Sequence, residues 1–208
     1  MHIVQGPIWI VWNIFLALIP VALGYGVLAA SKYDDRHPVA SNIAVILIGF
    51  VWLIFMPNTC YLLTEWRHFL EMLGYTALHT RWTHDSNARL LLMTLTFFYM
   101  CYSGIGILTF ALAIRPVAAV LRKHGVRLWL PAIPFFFLMS VGVYLGLMLR
   151  FNSWDLMTEF GAIVSSLSDL GERPMLTFYI FFFAAFLWVM YLATDIWIDG
   201  LMQRLKGK

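Results

Sequence analysis

Charge is what this chain has least of. Only 12% of its 208 residues are Asp, Glu, Lys or Arg, about half the share of an ordinary soluble domain. The formal net charge is +3, with no basic stripe of the kind that nucleic-acid binding requires, so that class of partner is set aside. There are two cysteines, Cys60 and Cys101. Cys101 is read as lying about 18 Å deeper in the membrane than Cys60, whereas a disulfide needs Cα atoms within about 7 Å, so none is expected. No Walker-type glycine loop and no nucleophile elbow occurs, which removes the usual phosphate cradle and the usual hydrolase serine. No repeat, low-complexity tract or flexible linker interrupts the chain, so residues 1–208 are read as a single transmembrane domain.

What is there instead is apolar. Hydrophobic residues make up 62% of the chain and aromatics 17%, with nine Trp and nine Tyr, the residues that favour bilayer interfaces. Five segments are long enough to cross about 30 Å of hydrocarbon at about 1.5 Å per helical residue. They lie near Ile8–Ala30, Val39–Met56, Leu90–Ile114, Leu128–Leu149 and Met175–Ile198, and the second is the shortest. No Lys or Arg precedes the first, and its apolar run is too long for a signal-peptide core, so it is expected to stay in the mature protein. The pattern predicts an all-α integral membrane bundle.

Five crossings put the loops 31–38 and 115–127 and the C-terminus on one side. That side carries nine of the Lys and Arg residues, and the other carries five. The positive-inside rule then predicts a cytoplasmic C-terminus and an external N-terminus. The basic run Arg115–Arg127 reads as orientation and contact with anionic headgroups. The long loops 57–89 and 150–174 share the outer face, and each shows helical spacing of apolar residues. In the first, Leu62, Trp66, Phe69, Leu70 and Leu73 form a stripe opposite Thr64, Arg67, His68 and Glu71. Pro57 is expected to end the preceding span, and Asn58 or Thr59 to cap a new interfacial helix. In the second, Leu156, Phe160, Ile163, Leu167 and Leu170 lie on one side and Asp155, Glu159, Ser166 and Asp169 on the other. Two amphipathic interfacial helices on the outer face are therefore expected.

Two stretches carry a family pattern: MPNTCYLLTEWRHF, from Met56 to Phe69, and VGVYLGLMLRFNSWD, from Val141 to Asp155. They resemble the signature stretches of a bacterial family of multi-pass membrane proteins, domain of unknown function 1361. The matching positions are Pro57, Asn58, Tyr61, Thr64, Glu65 and His68 in the first. In the second they are Tyr144, Leu145, Gly146, Arg150, Asn152, Ser153, Trp154 and Asp155. Glu65 stands where the family pattern has Asp, and Leu147 where it has Arg; the second departure removes a guanidinium beside Arg150. The resemblance implies a membrane fold and the bacterial cytoplasmic membrane, and it implies no activity.

Placed at the outer ends of the second and fourth spans, Asn58, Glu65, His68, Arg150, Asn152 and Asp155 form the candidate site. Arg150 could pair with Glu65 or Asp155, because a charge partly screened from water wants a partner. The bland reading is a polar clamp that pins two interfacial helices. The functional reading adds an anionic headgroup or a reacting group. A sharper alternative makes Glu65, His68 and Asp155 ligands of a metal, although Glu-x-x-His alone is common by chance. Cys60 with His68 as base is a further option, against which stands simple packing of a small apolar residue. The middles of the spans hold Asn13, Thr94, Thr96, Ser103 and Ser140 and no charge, which argues against an ion pathway. Gly142 and Gly146 form a Gly-x-x-x-Gly step expected to receive another helix. The sequence thus favours a non-catalytic lipid-binding, scaffold or assembly subunit. A small, metal-dependent enzyme acting on a lipid or envelope substrate is kept as the alternative. The expected partners are membrane lipids and other integral membrane subunits, with no cofactor.

Overall fold

The computed structural model describes residues 6–33, 38–76, 81, 84–148, 158–159, 161, 164–165 and 173–207. Every regular element among them is helical. In chain order they are α1 (Gly6–Ala30), α2 (Pro38–Phe55), α3 (Pro57–Thr64), α4 (Trp66–Thr76), α5 (Ser86–Lys123), α6 (Trp129–Met148) and α7 (Pro174–Leu205), with a single 3-10 turn, Ser31–Tyr33, after α1. Among the described residues, five segments are long and apolar enough to cross a membrane: Trp9–Tyr33, Pro38–Glu71, Ser86–Lys123, Trp129–Leu147 and Pro174–Leu205. The five expected spans are therefore present. Long apolar helices satisfy every backbone group internally, which hydrocarbon demands.

The helix ends follow local chemistry. Asp85 caps α5, its carboxylate accepting from the Asn87 N–H at 2.8 Å. Gly125 has a φ of +74°, the left-handed geometry that closes a helix at little cost in a glycine. The Val126 N–H returns to the Leu121 carbonyl at 3.0 Å across it. These caps carry α5 well beyond the expected Leu90–Ile114. Ser41 donates to the Ala30 carbonyl at 2.9 Å and ties the start of α2 to the end of α1.

The first clear departure is at Pro57. Asn58 and Thr59 do not cap a new interfacial helix; the N-cap is Met56, helical in conformation, with no side-chain bond. The chain bends there and continues inward. Pro57, Asn58, Thr59, Cys60 and Leu62 are all buried, and α3 packs on α1, α5 and α6. A second break at Glu65 starts α4. The stripe expected to lie in the interface as one helix is thus two, and its first half is core. Of the second outer helix, Thr158, Gly161, Val164 and Ser165 are helical, and the remainder of that expectation falls outside the described residues.

The core gathers Trp52, Met56, Cys60, Phe110, Phe136, Met139, Val143, Phe183 and Leu187 from α2, α3, α5, α6 and α7. Large apolar side chains also cover the outside: Val39, Ile46 and Phe50 on α2, and Phe178, Phe182 and Ile196 on α7, are exposed. In water such a surface would be a liability; against lipid tails it is matched.

Contacts fix the levels of the helices. Arg115 meets Asp195, so these residues share a level near one end of α5 and α7. Counting back from Asp195, α7 runs uncharged to Pro174, a rise of roughly 31 Å, which matches the hydrocarbon thickness. The same rise carries α5 back to about residue 94, which leaves Tyr102 and Gly106 well inside the slab.

Candidate functional site

The segment Pro57–Thr64 is wedged between two helices that carry glycine where it passes. A Cβ on Gly106 of α5 would lie 2.7 Å from the Leu62 Cβ and 3.3 Å from the Thr59 carbonyl oxygen. A Cβ on Gly142 of α6 would lie 2.7 Å from the Pro57 ring, and one on Gly146 would collide with the Tyr61 hydroxyl. That hydroxyl donates a long bond to the Gly142 carbonyl at 3.4 Å. Removing Cβ lets a helix backbone approach this closely. The Gly-x-x-x-Gly step does receive a helix, and it comes from the other signature stretch of the same chain.

Asn58, Thr59 and Thr64 each donate to a backbone carbonyl three residues earlier. Pro57 has no N–H, and the carbonyls at the end of α2 therefore need other donors. Asn58 Nδ2 donates to the Phe55 carbonyl at 3.0 Å, and Thr59 Oγ1 to the Met56 carbonyl at 2.8 Å. Cys60 is fully buried, its sulfur 3.8 Å from Thr59 Oγ1. Both cysteines are free.

Gly106, which touches α3, stands about 14 Å along α5 from Arg115, near the middle of the slab rather than at its rim. Pro57–Tyr61, expected at the outer interface, therefore lie within the bundle. So does the group that follows them. Glu65 Oε1 accepts from Asn13 Nδ2 of α1 at 3.2 Å. Asn13 stands about 16 Å along α1 from Gly24, which packs on Ala113 and Pro116 of α5. The uncharged span middles of the sequence reading thus receive a carboxylate from an element that was read as surface. Around it, Trp66, Phe69 and Tyr99 form a triangle with ring centroids 5.3 to 6.1 Å apart. The Ser103 hydroxyl is buried with no hydrogen-bond partner among the described residues.

Two further contacts were missed. Arg115 Nη1 donates to the Asp195 carboxylate at 2.6 Å and to its backbone carbonyl at 3.0 Å, while Nη2 reaches Asp199. A residue counted as an orientation signal is therefore a clasp between α5 and α7. The signal available was the pair Asp195 and Asp199, four apart on one helix face in the last turns of an apolar span. Trp52 Nε1 donates to the Ala113 carbonyl at 3.1 Å, beside Pro116, whose ring opens the helical ladder of α5. Gly24 lets α1 close over this point, since a Cβ there would meet the Ala113 oxygen at 2.6 Å.

Of the other candidate residues, His68 belongs to α4, and its side chain lies outside the described residues, as do Arg150, Asn152 and Asp155. The Arg150 pairing and the Glu65–His68–Asp155 metal alternative therefore lie outside what is described. Among the described residues, no three His, Cys, Asp or Glu side chains converge on one point.

The family model described as "Protein of unknown function (DUF1361)" matches residues 12–190. No curated protein and no solved structure matches the chain.

Proposed function

The chain belongs to the family of domain of unknown function 1361, and on that premise we propose that it is a non-catalytic membrane component: a lipid-binding, scaffold or assembly subunit. The observation that carries this reading is the use made of the first signature stretch. Pro57 and Tyr61 fill the spaces at Gly142 and Gly146, Asn58 and Thr59 close the end of α2, Cys60 is buried, and Glu65 is bonded to α1. Each of these residues serves the assembly of the bundle. A nucleophile or general base needs access to substrate, and a fully buried Cys60 lacks it. The excess of Lys and Arg on the loops 31–38 and 115–127 and at the C-terminus supports an inner membrane with the N-terminus outside. Lipids are the first partners, and other integral subunits the second.

The test is purification of the full chain in mild detergent, followed by mass spectrometry of what comes with it. Stoichiometric lipid or a membrane protein partner is expected with the wild type, and its loss with Gly106→Val. A lipid-free, solitary chain would overturn the reading. So would a stoichiometric metal ion that disappears with His68→Ala, which would favour the enzyme instead.

A further inference from the structure

We propose that the turn between α5 and α6, with the last turns of α7 at the same end of the bundle, is a docking surface for phospholipids whose headgroups carry net negative charge. This deepens the lipid-binding reading above and rests on it.

The geometry divides basic residues that a count by side treats alike. Arg115 is held by Asp195 and Asp199. Arg122, Lys123 and Arg127 around the turn, and Arg204 and Lys206 at the end of α7, are all exposed. Among the described residues, the ion pairs at this end are those of Arg115 alone. The clasp carries one carboxylate in excess, and the C-terminal ends of α5 and α7 add the equivalent of about one further negative charge. Set against the five exposed cations, these leave this end of the bundle positive. Its complement is an anion.

The turn that carries three of these cations is fixed. Gly125 closes α5 at a φ of +74°, the Val126 N–H returns to the Leu121 carbonyl at 3.0 Å, and the Leu130 N–H to the Arg127 carbonyl at 3.0 Å. Leu128 packs against the main core. Arg122, Lys123 and Arg127 thus stand on a preorganised backbone, and a ligand has little chain to order.

Level identifies the occupant. Ser140 of α6 donates to the Ile180 carbonyl of α7 at 2.8 Å, and Phe136 meets Trp188 and Tyr191 with ring centroids 6.2 and 5.9 Å apart. The two helices therefore run antiparallel. Trp129, about 10 Å along α6 from Phe136, comes to the level of Asp195 and Trp197. Trp129 and Trp197 are both exposed, at the edge of the hydrocarbon, where tryptophan favours the headgroup layer. Arg127 follows just beyond, and Arg122 stands about 10 Å along α5 from Arg115. Long basic side chains reach back from there to the phosphates. An anionic headgroup can meet these donors while its acyl chains run beside Leu130 and Ile133, which are exposed on α6.

The test uses the full chain in mild detergent. Native mass spectrometry compares retention of phosphatidylglycerol and phosphatidylcholine with the same acyl chains. Glycerol phosphate and polyglutamate are titrated separately while thermal unfolding is followed. Preferential retention of phosphatidylglycerol is expected, and raised salt should shrink the preference. Arg127→Gln should lower it about fivefold, the worth of one basic residue beside an anionic surface. Arg122→Gln with Lys123→Gln in the same chain should abolish it. Arg173→Gln, at the opposite end of α7, should leave it unchanged. A preference that survives at full strength in the double variant, or that falls as far with Arg173→Gln, would overturn the proposal. So would stabilisation by glycerol phosphate alone, which would make this a site for free phosphate, or by polyglutamate alone, which would place an acidic protein surface here. Equal retention of both lipids would overturn it and leave the lipid-binding scaffold standing, whereas retention of neither would sink both.

Discussion

The wedge of α3 and the clasp at Arg115 join helices by opposite means. At α3 the contact is shape: Gly106, Gly142 and Gly146 withhold a side chain, and Leu62, Pro57 and Tyr61 fill the space. At the clasp the contact is charge: one guanidinium holds Asp195 and Asp199. The levels differ as well. The wedge sits near the middle of the slab, where a formal charge is costly, while the clasp sits where water returns and Asp199 is 56% exposed. Close packing joins the helices at the wedge and ion pairing joins them at the end, because the dielectric cost of a charge falls towards the interface; Glu65, which follows the wedge, is bonded to Asn13.

Substitutions that exchange the two means should break the comparison. Gly106→Val places a branched side chain against the Leu62 Cβ and the Thr59 carbonyl, both of which move only with their backbone. Overpacking of this kind is expected to cost about 3 kcal/mol or more, and thermal unfolding in detergent should show it as the largest loss. Arg115→Ala leaves Asp195 and Asp199 facing each other. With all three groups partly in water, a loss of about 2 kcal/mol is expected, and Asp195→Asn with Asp199→Asn in the same chain should recover part of it. Raising the salt should shrink the Arg115→Ala effect and leave that of Gly106→Val unchanged, since salt screens charge and not shape. Trp52→Phe keeps part of the ring system and removes the bond to the Ala113 carbonyl, for an expected loss of about 1 kcal/mol. Tyr61→Phe removes only the long bond to Gly142, so a change below about 0.5 kcal/mol is expected. A loss with Tyr61→Phe as large as that of Trp52→Phe would mean that hydrogen bonding, and not fit, holds the wedge.

The crossings were legible because a run of twenty apolar residues has one use. The glycine step at Gly142 and Gly146 was legible as a notch for the same sort of reason: a missing Cβ invites a neighbour. What fills the notch was not legible, because nothing local to Pro57 says whether the chain beyond it turns out along the surface or continues inward. Pro57 was read as the end of a span, and its effect on the preceding residues is real. It bends the crossing at Met56 instead of ending it, since Asn58 and Thr59 can close the α2 carbonyls from within. Glu65 was misplaced as a consequence. Its charge suggested the surface, and only the lone amide Asn13 on α1 hinted at a polar partner inside. The clasp is not legible from a count of basic residues by side: Arg115 adds to the basic end of its helix, yet it pairs with acids about eighty residues away in sequence.

The central claim is that the stretch from Pro57 to Thr64 lies inside the bundle at membrane depth. Cys60 reports on it most directly, being fully buried and next to Thr59. In a Cys101→Ser background, intact cells and inverted vesicles would each be treated with a membrane-impermeant maleimide, and then again after unfolding in SDS. The account predicts no labelling of Cys60 from either side and full labelling after unfolding. Rapid labelling of the folded protein from the outer face would contradict it and return this stretch to the surface.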